Sequence, residues 1–119
     1  MVVFMRGGSR LVAMRAALVV RDLMTRSRLQ EAAAAAGYEV AAMREVPAVT
    51  LEQSPDLLVV DLDLSGALQG AAAWRAAHPE TRVVGFAFHV EEELIAEARA
   101  AGIEVLPHGA TARPARFFS

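Results

Sequence analysis

The chain contains neither cysteine nor lysine. Without cysteine there is no disulfide scaffold, no thiolate zinc site and no cysteine nucleophile. Without lysine there is no phosphate-binding loop of the Walker type, whose lysine reaches the terminal phosphates. No apolar run approaches the roughly 18 residues that a membrane span requires, so no membrane partner is expected. Aromatic residues are scarce, with one Trp and one Tyr, and they offer no platform on which bases could stack. GxGxxG, GxSxG and HExxH patterns are also missing, and no nucleophilic triad can be assembled. The expectation is a protein that is not an enzyme.

What is present is 119 residues, 55% of them apolar and 22% charged. That length supports one core and one domain, and the composition lies far from that of chains too polar to collapse. The net charge of −2 argues against direct nucleic-acid binding, which calls for a surplus of cations to displace phosphate counterions. The charge is unevenly spread: residues 1–28 hold six arginines against one acid (Asp22), and residues 29–119 hold six against thirteen. Residues 1–13 (MVVFMRGGSRLVA) have the basic and apolar parts of a signal peptide, but Arg6, Gly7, Gly8 and Arg10 interrupt the apolar stretch. They are expected to form an N-terminal extension, flexible or engaged in contacts, before a compact unit over residues 14–119. A cytoplasmic location is expected.

From Ala16 onward, short apolar runs alternate with helix-period segments, a pattern that favours a parallel sheet covered by helices on both faces. Strands are expected at 16–20, 38–42, 56–62, 82–88 and 103–106, the third being central. Thr25 or Ser27 is expected to cap a first helix running through the alanines 32–36, with Gly37 ending it in the left-handed conformation. A two-turn helix is expected at 47–53, and longer ones at 67–77 and 91–101. Glu91, Glu92 and Glu93 suit the start of the last of these, where the unsatisfied amides favour negative charge. Trp74 and the phenylalanines fit the core. After Leu106 only thirteen residues remain and Pro114 divides them, so a last helix should be short or absent.

Ligands of an open parallel sheet collect beyond the carboxyl ends of its strands, where the winding reverses. In the order 2-1-3-4-5 the first and third strands are neighbours, which brings Asp22 and Asp61 together. Two such carboxylates resemble a magnesium site. Asp63 is expected to face solvent, His78 and His89 to lie at the surface or at helix ends, and Asp61 has a plainer reading as the cap of the turn that follows it.

The succession VVRD (19–22), GYEV (37–40), PDLLVVDLDLSG (55–66), HPETRVVGF (78–86) and EARAAGIEVLPHGA (97–110) resembles the receiver domain of two-component response regulators, over about residues 14–108. The resemblance implies an α/β, flavodoxin-like (CheY-like) doubly wound sandwich with a five-stranded parallel sheet ordered 2-1-3-4-5, making 14–119 a receiver-like domain. It also implies a phosphoryl-accepting aspartate at the end of the third strand, matched by Asp61. The family's acidic pair after the first strand, which helps hold magnesium, is matched by Arg21 and Asp22. Its Ser or Thr after the fourth strand falls on Ala87. Its Lys falls on His108, or on Gly109 without a one-residue deletion near Glu104, and no realignment restores a lysine to a chain that has none.

These departures remove a hydrogen-bond donor and a cation from a site whose work is to stabilise charge on a phosphoryl group. His108 is mostly uncharged near neutral pH and replaces lysine poorly. Arg21, always charged and able to bond a carboxylate through two donors, is a candidate partner for Asp61 or Asp22 in place of a metal. The expected function is therefore a non-catalytic pseudo-receiver acting in signal transduction through protein–protein contacts. The alternative is an atypical receiver in which Asp22 and Asp61 hold Mg2+ and Asp61 accepts phosphate. A small-ligand sensor using the same crevice ranks below both. No cofactor other than that magnesium is expected. The partner is expected to be a protein, with a homodimer covering Phe117, Phe118 and the 103–106 edge, unless residues 2–5 fold back over them.

Overall fold

The computed structural model describes residues 14–44, 55–87, 91–107 and 109–118. The expected extension 1–13, the short helix 47–53, His89 and His108 lie outside the described residues. Strand β1 (Met14–Val19) is followed by helix α1 (Leu23–Ala35), strand β2 (Tyr38–Met43), strand β3 (Leu57–Asp61), helix α2 (Ala67–Ala77), strand β4 (Arg82–Phe86), helix α3 (Glu92–Ala100) and strand β5 (Glu104–Val105). All pairings are parallel, and the sheet order is β2-β1-β3-β4-β5. Among the described residues no helix is long and apolar enough to cross a membrane.

Why these residues make these elements is readable strand by strand. β3 pairs on both sides and has helices over both faces, so all five of its residues are buried and all but the last are Leu or Val. Successive residues of a strand serve opposite faces. Ala17, Val19, Leu58 and Val60 join Trp74, Ala98 and Ile103 on the side of α2 and α3. Ala16, Leu18, Leu57 and Val59 join Leu29 and Ala33 on the side of α1. Gly37, with φ 92°, follows the end of α1 in the left-handed conformation as expected.

Two expectations need correction. Neither Thr25 nor Ser27 caps α1. Asp22 does, because its extended backbone lets the carboxylate Oδ2 reach the Thr25 amide at 2.8 Å and the Thr25 hydroxyl at 2.7 Å. Thr25 thus sits three residues inside the cap and is buried.

The second correction concerns the C-terminus. The last helix is replaced by two 3-10 turns, Ala110–Ala112 and Pro114–Phe118, consistent with the shortening expected from Pro114. Phe117 and Phe118, however, do not await a second subunit: they are 0% and 7% exposed within this chain. The tighter turn aims Phe117 edge-on at Phe86 (5.7 Å between ring centres) and Phe118 at Tyr38 (5.6 Å), closing the α1 side of the sheet. Ile103 and Val105 are likewise buried in this chain, on the other face. A nine-residue terminal segment covers this face in place of a longer helix.

Candidate functional site

The carboxyl ends of β1, β3 and β4 form one rim, and Asp61 stands at its centre. It is the last residue of β3 and pairs with Phe86 of β4. The ladder runs one bond further, from the Leu62 amide to the Phe86 carbonyl at 2.8 Å, before the chain turns. Gly85 makes room for that turn. A Cβ there would lie 2.7 Å from Cδ1 and 2.9 Å from Cγ of Leu62, whose side chain is packed down onto β4.

Asp61 is 4% exposed. Its Oδ1 accepts the Asp63 amide at 3.0 Å, and its carbonyl accepts the Leu64 amide at 3.2 Å, so the side chain does cap the following turn. Burial pushes its carboxyl above the usual aspartate range. The Asp63 amide opposes that rise, the charge of Asp63 adds to it, and the backbone and then the charge of Arg21 lower it. Asp63 itself is exposed, as expected.

Arg21 therefore stands close enough to Asp61 to be felt, but no ion pair joins the two. Its exposed side chain acts through space, as the smallest of the influences on Asp61. Asp22, by contrast, faces the helix it caps. The Thr25 hydroxyl, then the Thr25 amide, hold its carboxyl below the usual range, with the charge of Arg28 a lesser contribution. Ala87 follows Phe86 at the end of β4, half-buried, and brings no hydroxyl to the rim.

The donor set can be compared with what a hard dication needs. Magnesium is held by one or two carboxylates together with carbonyls and waters. Here Asp22 Oδ2 already accepts two hydrogen bonds, Asp61 is pushed toward its neutral form, and a guanidinium stands where a second acid would help. Among the described residues no three His, Asp or Glu side chains are grouped to hold a metal.

The structure thus brings Asp61, Asp63 and Arg21 together, and engages Asp22 with Thr25. Sequence reading missed Thr25 as the partner of Asp22, although the spacing of an acid three residues before a hydroxyl inside a helix was a usable capping signal. It also missed Phe86, for which no local signal exists, since its role follows from the register with Asp61.

No family model matches the chain, and no curated protein matches it. Solved structures do. A response regulator from Thermotoga maritima is 21% identical, with a TM-score of 0.70 over 88% of this chain and 94% of that one. The BeF3-activated receiver domain of DrrB is 17% identical, with a TM-score of 0.73 over 89% and 97%. An orphan response regulator of H. pylori is 16% identical, with a TM-score of 0.71 over 87% and 92%. The fold is that of response regulator receiver domains, as the sequence motifs implied.

Proposed function

We propose that this chain uses the receiver fold for signal transduction through protein–protein contacts, without enzymatic activity and without a phosphorylation cycle. The observation that carries the reading is the commitment of Asp22. Its carboxylate Oδ2 caps α1 through the amide and hydroxyl of Thr25 and is thereby engaged within the helix start. Phosphoryl transfer to a carboxylate depends on positioned positive charge and hydrogen-bond donors around the phosphoryl oxygens. With Ala87 in the hydroxyl position and no lysine in the chain, the side chains that would supply those donors are missing. Arg21 supplies charge at a distance, enough to moderate Asp61.

A second reading, an atypical receiver with Asp61 as a magnesium-dependent phosphoacceptor, draws support from the place of Asp61 at the carboxyl end of the central strand. One experiment separates the two. The protein is incubated with magnesium and a small phosphodonor, and its intact mass is measured. An unchanged mass is expected. A gain of one phosphoryl group that Asp61→Asn abolishes would establish the second reading instead. The proposed partner is a protein, and a second copy of this chain is the first candidate.

A further inference from the structure

We infer that the outer edge of β2 pairs with the same edge of a second copy, antiparallel, about a two-fold axis midway between the two Ala41 residues. The inference rests on the protein-contact reading above and names its surface. β2 is the end strand of the sheet, and among the described residues nothing pairs with its outer side. Proteins that keep such an edge single blunt it with proline, lysine, a bulge or an inward-facing charge. Tyr38–Met43 has no proline, lysine or bulge. Its register with β1 is unbroken over six residue pairs. Its one charge, Glu39, is held 3.7 Å from Arg15 of β1. Ala41 and Ala42 are exposed and small, so a second backbone can come within hydrogen-bonding distance.

Complementarity selects a second copy as the occupant. Two antiparallel strands related by a two-fold axis normal to the sheet oppose residues of equal parity, since opposed side chains share a face. Centred on Ala41, that register sets Val40 against Ala42, Glu39 against Met43 and Tyr38 against Arg44. No like charges are opposed, and the Arg44 guanidinium meets an aromatic ring, a favourable pairing.

An open groove of about 170 Å3 runs along β1 and β2, lined by Ala16 and Val40 of one face as well as Arg15, Ala17, Glu39 and Ala41 of the other. In that register the second copy's Met43, half-buried against its own core, arrives opposite Glu39. By contrast, the side chains of Phe117, Phe118, Ile103 and Val105 are already buried in this chain.

Light scattering on the full chain tests the pairing. A particle of twice the 12.7 kDa chain mass is expected, and a monomer at every concentration up to the millimolar range would overturn the inference. Ala41→Lys and Ala41→Glu each place like charges face to face across the axis, so each variant alone is expected to be monomeric with an unchanged circular dichroism spectrum. Mixing the two is expected to restore the dimer. Because the native chain has no cysteine, Ala41→Cys carries a single thiol. Mild oxidation should join two copies through it, while Ala115→Cys, on the exposed C-terminal turn, should stay single. A dimer that survives both charged variants and resists the Ala41→Cys cross-link would overturn this surface while leaving the protein-contact reading standing.

Discussion

Phe117 meets Phe86 edge-on at 5.7 Å, and Phe86 is the residue of β4 in register with Asp61. The end of the chain is thereby packed against the strand that forms one wall of the candidate site. Phe117 is the largest fully buried side chain of the described residues, so the terminal turn belongs to the core rather than to the surface.

Phe117→Ala removes that ring from a site with no solvent access. A loss of about 3–5 kcal/mol in unfolding free energy is expected, read from urea titration. Phe118→Ala, at the rim of the same cluster beside Tyr38, should cost less. An unchanged midpoint for Phe117→Ala would mean that the turn is not part of the folded core.

The cap at Asp22 makes a distinct prediction. Asp22→Ala lowers the melting temperature, whereas Asp22→Asn keeps a side-chain oxygen for the Thr25 amide and retains most of it. The folded carboxyl lies below its unfolded value, so its contribution is present above the unfolded pKa and disappears as pH falls through the folded one. The difference between native and Asp22→Ala chains should therefore narrow in acid. Magnesium should leave both melting temperatures unchanged.

Asp61 has the opposite sign. Its folded pKa is raised by burial, so the folded state holds its proton more tightly than the unfolded chain does. The stability associated with that proton is complete below the unfolded carboxyl pKa and is lost as pH rises through the folded one. Asp61→Asn keeps an oxygen for the Asp63 amide and removes the buried charge. It should be more stable than the native chain at neutral pH, with the advantage vanishing at acidic pH, as measured by urea unfolding at both.

Gly85→Ala drives a methyl group into Leu62, and the contacted atoms include Cγ, which cannot swing aside as a side-chain tip could. A destabilisation of about 1–3 kcal/mol is expected. Leu62→Ala removes the obstacle, so the double variant should be more stable than the sum of the two single losses implies, a coupling that a double-mutant cycle measures directly.

Much of the fold was legible because its signals are local. The continuous apolar run 57–60 reads as a central strand from composition alone, and α2 occupies the expected 67–77. α3 covers 92–100 with Glu92 and Glu93 in its first turn, as the charge pattern indicated. β5 is shorter than expected, because only Glu104 and Val105 stand in register with β4, Leu106 adding a single amide bond to Gly85. β1 starts earlier, at Met14, because Tyr38 lies opposite to pair with it. Strand limits depend on what the neighbouring strand offers, which no single segment encodes.

The candidate site was legible only in its residue types. The amino-acid sequence by itself determined that an aspartate would end the central strand, that no lysine would stand near it and that proline would cut short the last helix. Only the tertiary structure decided that Asp22 turns to Thr25, that Asp61 is buried beside a distant guanidinium charge and that Phe117 fills the place of a helix. Periodicity and breakers act along the chain within a few residues. The direction of a carboxylate and the burial of a ring follow instead from which donors and which cavities the packed strands leave within reach.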